Sequence, residues 1–279
     1  MKKNLLFKNT AMHNLALFRC PICGGTFEIR DLTFFCINNH TFDISKKGYV
    51  NFVLNGKIAS YDKALFIERK ETAKAGFFEQ LNEVILALIR KYNKGNYILD
   101  AGCGEGSTLN TIISQSGNCF GVGIDISKDA IMQTEQTDKS VFLVGDIAHL
   151  PIQSDSIDVL LNILTPAHYS EFSRVLKEGI LIKVIPNSNY LQEIRSLYYA
   201  DSSKKKYSND TTVEHFYKNF KCLEEINCTY QFRVNDRTLG SILRMTPLLW
   251  NIDDKAAHFT ESGIESITCD FKILVGQVC

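Results

Sequence analysis

Tyr97-Ile98-Leu99-Asp100-Ala101-Gly102-Cys103-Gly104-Glu105-Gly106 is the stretch on which the fold turns. A short apolar run ends in an acid, and three glycines then follow at alternate positions. Residues 97–100 read as a strand and 106–116 as a helix, so the glycines form a strand-to-helix loop. Glycine permits a tight turn and close approach of the backbone to a ligand, and this placement is what a nucleotide-cofactor site requires. A dehydrogenase loop would carry its third glycine later, as Gly-x-Gly-x-x-Gly. The lysine that a triphosphate loop needs is absent. The following strand, 120–125, ends in Asp125, about where an acid accepts hydrogen bonds from ribose hydroxyls.

Working outward, strands and helices alternate. Residues 140–144, 157–163 and 179–185 read as strands, while 127–135 (capped by Ser127) and 170–176 read as helices. That alternation predicts a parallel sheet covered on both faces. Residues 190–199 read as a helix, and 201–210 as a polar loop with Lys204-Lys205-Lys206. Two late strands, 222–234 and 266–277, would form an antiparallel pair and complete a seven-strand sheet. Upstream, Ser60-Tyr61-Asp62 offers a cap for a helix over 63–75, Gly76 breaks it, and 77–92 resumes with Leu81, Val84, Ile85, Leu88 and Ile89 at helical spacing.

The N-terminal segment follows another logic. Cys20-Pro21-Ile22-Cys23 and Cys36-Ile37-Asn38-Asn39-His40 flank a hairpin read over 26–29 and 32–35, turning at Arg30-Asp31. Cys20, Cys23, Cys36 and His40 match a structural zinc site, which uses four N/S ligands and leaves no open position. A unit this small cannot bury enough apolar surface alone, so metal binding would supply its folding free energy.

The 279 residues are 45% hydrophobic, enough for a sizeable core, and no apolar run is long enough to span a bilayer. The first 21 residues do not read as a secretory signal, because Lys8, Asn9, His13 and Asn14 interrupt the apolar stretch. Nine cysteines, an odd number, suggest reduced thiols and a cytoplasmic protein rather than a disulfide framework. Net charge is zero but unevenly spread: residues 1–74 hold twelve Lys/Arg against six Asp/Glu. A basic first quarter suits a phosphate-bearing partner, as it also suits an ordinary solvated surface.

The loop 100–106 with Asp125 resembles the S-adenosylmethionine-dependent methyltransferases. The resemblance continues through Asp146-Ile147, the run from Leu150-Pro151-Ile152 to Val159, and Arg174-Val175-Leu176-Lys177-Glu178-Gly179, where Ile180 replaces a usual second glycine. The cysteine and histidine order, His40-Thr41-Phe42-Asp43, Lys46, Gly48-Tyr49-Val50-Asn51, Arg69, Gly76-Phe77-Phe78, Met245-Thr246-Pro247 and Trp250 extend it to nearly the whole chain. Here the sequence is similar to the bacterial 23S rRNA (guanine-N1)-methyltransferases of the RlmA type. The resemblance implies an α/β protein with a Rossmann-like class I methyltransferase sheet and a small N-terminal zinc ribbon. Residues 1–55 would be the zinc-binding RNA-recognition domain, 56–92 a helical linker and 93–279 the methyltransferase domain. It also implies S-adenosylmethionine as cofactor, a structural zinc ion, a homodimer and no membrane. The substrate would be a guanine in a 23S rRNA hairpin loop near the macrolide-binding exit tunnel; some members confer macrolide resistance.

The resemblance implies cofactor-binding roles for Phe78, Gly102, Gly104, Glu105, Gly106, Asp125, Asp146, Ile147 and Tyr190. Phe78 stands where a relative has tyrosine, and Tyr190 where histidine occurs. Asn162-Ile163-Leu164-Thr165-Pro166 weakly resembles the polar-Pro segment with which amino methyltransferases grip a base, so Asn162 is expected to orient the guanine. His168 lies nearby and is a candidate to take the proton that N1 gives up. Arg19, Lys46, Lys47 and Tyr49 suit RNA phosphates and unstacked bases. Two other readings remain open: a class I methyltransferase acting on a small molecule, and a non-catalytic RNA-binding protein that keeps the fold.

Overall fold

The computed structural model describes residues 2–54, 63–92, 95–198, 208–246 and 263–278. The expected cap at Ser60-Tyr61-Asp62, the lysine triplet 204–206, Pro247 and Trp250 lie outside them. The chain opens with α1 (Lys3–His13), which buries Phe7 and Ala11 and leaves Leu5 and Met12 exposed. Strands β1 (Phe27–Arg30), β2 (Thr33–Cys36) and β3 (Thr41–Asp43) form a small antiparallel sheet. Asp31 sits at its hairpin turn with φ 49°, a conformation that Asp tolerates better than most side chains.

β4 (Val50–Asn51) leaves this unit. Helices α2 (Lys63–Lys74) and α3 (Glu79–Tyr92) follow, divided at Gly76. Then come β5 (Tyr97–Ala101), α4 (Ser107–Gln115), β6 (Phe120–Asp125), α5 (Lys128–Ile131), β7 (Ser140–Val144), β8 (Ile157–Ile163), α6 (Tyr169–Val175), β9 (Leu176–Pro186) and α7 (Gln192–Tyr198). The chain finishes with α8 (Asp210–Asn219), β10 (Phe220–Arg233), α9 (Asp236–Met245) and β11 (Ser266–Val278).

Among the described residues the large sheet has eight strands, in the order β10-β11-β9-β8-β5-β6-β7-β4. Strands β5 to β9 run parallel, and β10 and β11 form the expected antiparallel pair. The eighth strand is β4, which pairs parallel with β7 through Val50–Leu143 and Asn51–Val144. The proposed boundary at residue 55 is therefore crossed by one continuous sheet. Alternation along each strand feeds two cores. Ile98, Phe142 and Val144 pack with Leu81 and Ile85 of α3 and Leu109 and Ile112 of α4. Leu99, Val141 and Leu143 pack with Phe7, Phe34, Phe172 and Phe216 on the other face.

Helix α5 stops short of the expected residue 135. Thr134 donates its hydroxyl to the Ile131 carbonyl at 2.8 Å, which closes the last turn. No helix among the described residues is long and apolar enough to cross a membrane.

Candidate functional site

Cys20, Cys23, Cys36 and His40 converge: their ligand atoms all lie within 4.8 Å of one another. Cys20 Sγ is 3.5 Å from His40 Nδ1, and Cys23 Sγ is 3.3 Å from Cys36 Sγ. Tetrahedral Zn–S bonds of about 2.3 Å put neighbouring ligands about 3.5–4 Å apart, so the donor set fits zinc with little adjustment. Local folding makes this arrangement. Cys36 ends β2, Asn39 takes φ 64°, and Cys36 N donates to His40 O at 2.8 Å, bringing the imidazole back over the thiols. Asn38 supports the cluster, its backbone N donating to Cys36 Sγ at 3.4 Å and its Nδ2 to Cys23 Sγ at 3.3 Å. Such outer contacts orient metal ligands. The Asn38 amide bond holds the Cys23 thiol down at about 6, whereas burial pushes Cys20 up to about 11.

The second site is a cavity of about 570 Å³ lined by residues at or just beyond the C-terminal ends of β5, β6, β7 and β8. This is the crevice where the strand order reverses around β5, the place at which parallel α/β sheets bind ligands. Gly102 and Gly104 form one wall. A Cβ at Gly102 would lie 2.6 Å from the Thr165 side chain, and one at Gly106 would lie 2.5 Å from Phe142; both residues also take positive φ. Gly106 thus serves packing beneath the loop, while Gly102 and Gly104 meet the cavity.

Asp125 lines the cavity, with Oδ2 accepting from Gly104 N at 2.9 Å and Oδ1 from Ser127 N at 2.8 Å. Those bonds tie the acid to the glycine loop and leave each oxygen a further lone pair for hydroxyl donors. Asp146, Ile147 and Tyr190 also line it. Asp146 is partly spent on Ala148 N at 2.9 Å, and the Tyr190 ring packs on Phe271 with centroids 5.0 Å apart.

Phe78 and Glu105 stand back from this cavity and line a cleft of about 210 Å³ beside α4. Between the two spaces lies Arg69 of α2, a residue whose position no local pattern announces. Its Nε is 3.7 Å from Glu105 Oε1, and its guanidinium carbon is 5.1 Å from the centre of the Phe78 ring. Beneath it Asp100 is 2% exposed and its Oδ1 has no hydrogen-bond partner. Burial pushes the Asp100 carboxyl up to about 8, and burial likewise raises Glu105 and Asp125; Arg69 opposes all three shifts. An unpaired buried acid and an underused guanidinium beside a glycine cradle fit a charged ligand.

The expectation that Asn162 orients the base is not met by this geometry. Asn162 is fully buried, and its Nδ2 donates to Ala101 O at 2.9 Å and Pro166 O at 3.0 Å. Its Oδ1 accepts from Lys183 Nζ, which also donates to the Thr165 carbonyl. The side chain therefore holds the loop 164–166 in place, including Leu164 at φ 55°, and that loop lines the cavity. His168 bonds Ser170 at 3.3 Å and does not line the cavity. Tyr49 is buried in the core and presents no ring for stacking, whereas Lys46 and Lys47 are exposed. Phe66, Pro186, Met245 and Thr246 complete the apolar side of the cavity. Of these, Met245 and Thr246 carried a sequence signal, through the family resemblance alone.

Residues 92–234 match the family described as a methyltransferase domain, and residues 18–53 match the N-terminal region of RlmA. The chain is 37% identical over 276 residues to a Bacillus subtilis (strain 168) protein named "Putative 23S rRNA (guanine-N(1)-)-methyltransferase YxjB", covering 95% of this chain and 98% of the relative. It is 24% identical to the 23S rRNA (guanine(748)-N(1))-methyltransferase of Streptomyces fradiae, covering 90% and 92%. Among solved structures it resembles a chain of the complex between the Haloferax volcanii Trm112 methyltransferase activator and a methyltransferase. The TM-score is 0.50 at 16% identity, over 81% of this chain and 99% of that one, a likeness of fold. A zinc ribbon built into a methyltransferase sheet, with near full-length similarity to such relatives, places this chain in the 23S rRNA (guanine-N1)-methyltransferase family of the RlmA type.

Proposed function

We propose that this chain transfers a methyl group from S-adenosylmethionine to N1 of a guanine in 23S rRNA. The observation that carries this reading is one of construction. A Cys₃His ribbon, matched to a family of RNA-modifying enzymes, contributes the edge strand of the sheet that bears the cofactor cavity. A small-molecule methyltransferase has no use for such a module. A non-catalytic binding protein has no use for a glycine cradle with an unpaired buried acid.

The cofactor supplies an electrophilic methyl on a sulfonium; the chain supplies position and electrostatics. In this reading Gly102 and Gly104 hold the cofactor's backbone-facing side, Asp125 accepts from the ribose, and Asp146 and Ile147 face the adenine. Phe78 and Glu105 act from behind Arg69, and Tyr190 closes the far wall. The loop 164–166, held by Asn162 and Lys183, shapes the entrance for the base together with Phe66 and Met245. The family resemblance further supports a homodimer, a cytoplasmic location and a target guanine in a hairpin loop near the macrolide-binding exit tunnel.

Mass-spectrometric mapping of 23S rRNA from a deletion strain and its complemented counterpart tests the reading. A single N1-methylguanine lost on deletion and restored by the gene is expected; identical maps would sink it. Lys46 and Lys47 provide a check on RNA contact. Replacing both with alanine is expected to reduce the salt dependence of RNA affinity by a slope of about 2, because each phosphate contact contributes about one unit.

A further inference from the structure

The cavity has a charge imbalance. Among the described residues its charged lining consists of two acids, Asp125 and Asp146, and one cation, Arg69. One more buried acid, Glu105, lies 3.7 Å from Arg69. S-adenosylmethionine carries a carboxylate on its amino-acid tail, and a carboxylate in such surroundings needs a cation.

Arg69 is built for that task by what its neighbours do. On α2, Glu68 is tied to α9 through Ser241 at 2.7 Å and Arg244 at 2.8 Å. On the other side Lys70 is tied to the Gln133 carbonyl at 2.8 Å and to Glu135 at 2.9 Å. The helix is pinned on both sides of Arg69. The Arg69 guanidinium itself makes no hydrogen bond among the described residues; its contact with Glu105 is 3.7 Å, an ion contact beyond hydrogen-bond length. Glu105 is meanwhile held by Ser107 N, which donates to Oε2 at 3.0 Å. The Phe78 ring supports the guanidinium plane. A planar fork of unspent donors, held rigid over the glycine loop, is the geometry that grips a carboxylate through two parallel bonds.

We infer that Arg69 is the clamp for the carboxylate of the cofactor's amino-acid tail, with Glu105 as its counter-ion in the ligand-free chain. Helix α2 is then part of the cofactor site as well as a connector. The inference rests on cofactor use and is independent of which RNA is methylated.

Calorimetric titration with two ligands tests it. S-adenosylhomocysteine has the full tail, and S-adenosyl-3-thiopropylamine is the same molecule without the carboxylate. In Arg69→Gln, affinity for S-adenosylhomocysteine is expected to fall about tenfold to a hundredfold, the range for a charged hydrogen-bonded pair. Affinity for the amine is expected to change less than about twofold. Arg69→Lys, which keeps the charge but not the fork, should recover part of the loss. Equal losses for both ligands would make Arg69 a prop for the cavity and overturn the assignment, as would an unchanged affinity for both. Where Arg69→Gln does not fold, the wild-type preference for the carboxylate ligand must still shrink in Arg69→Lys; an undiminished preference overturns the clamp. A wild-type chain that binds neither ligand overturns cofactor use itself, a different failure from the loss of selectivity.

Discussion

Asp100 shows how a single buried group trades stability for a site. Its carboxyl has one oxygen without a partner and a pKa pushed up to about 8 by burial. An acid whose folded pKa lies above the unfolded value near 3.9 holds its proton in the folded state. The stability it contributes is present at low pH and is lost as pH rises from about 4 to about 8. Asp100→Asn keeps the shape and never ionises. Its advantage over the wild type in urea midpoint should therefore widen across that window and level off above it. Midpoints at pH 5, 6.5 and 8 check this, and a constant margin would contradict it. Asn162 poses the complementary case. Asn162→Ala leaves the buried ammonium of Lys183 short of an acceptor, at a cost of about 2–4 kcal/mol. Adding Lys183→Met should return part of that loss, because removing both partners of a buried pair is far less damaging than removing one. A direct role on the guanine would instead leave the melting curve alone and alter only turnover of RNA.

Elements were readable where one signal sufficed. Strands β5 to β8 are short apolar runs bounded by glycine or acid, and the sheet realises them within a residue or so. Helix α9 does not stand out in the sequence although it starts in a capping box, Asn235 Oδ1 accepting from Thr238 N at 2.9 Å and Thr238 Oγ1 accepting from Asn235 N at 2.9 Å. Its signal is local and lies between two stretches of strand-like pattern. Helix α1 lacks a clean apolar stripe, and β4 is two residues long, so neither announces itself. Arg69 belongs with them: nothing near it says that α2 crosses the glycine loop. That crossing depends on α2 being fastened to α9, where Glu68 meets Ser241 and Arg244 and Glu71 meets Arg237 at 3.2 Å. A double-mutant cycle on Glu68→Gln and Arg244→Gln should return a coupling of about 0.5–1 kcal/mol, modest because Arg244 is half exposed. The same single variants should weaken S-adenosylhomocysteine binding, since the pinned helix carries Arg69 and α9 ends at Met245 in the cavity wall. Full affinity in Glu68→Gln would uncouple the helix pair from the site.

At the scale of the whole molecule, the zinc-bearing segment is an integral part of the enzyme core. Phe27, Phe34, Phe42 and Phe52 pack with centroids 4.9–5.8 Å apart, and Phe52 N then donates to Val144 O of β7 at 2.8 Å. Phe18 bridges to Ile152, and Arg19 N donates to Pro151 O at 3.1 Å. Two reaches of chain on either side of the cysteine cluster are thus stitched to the methyltransferase core, the first to the connection between β7 and β8 and the second to β7 itself. A ribbon of this size loses its fold with its metal, and its loss here strips β7 of its edge partner and uncovers Val141 and Leu143 on that face. Scanning calorimetry should accordingly show one cooperative transition for the zinc-loaded chain. Chelation, or Cys36→Ala, should lower that transition on the order of 10 °C, given that each kcal/mol moves a domain of this size by about 2–4 °C. A chelated sample in which an upper transition keeps its original temperature would show instead that the methyltransferase sheet stands without the ribbon, and the continuous eighth strand would then contribute little to its stability.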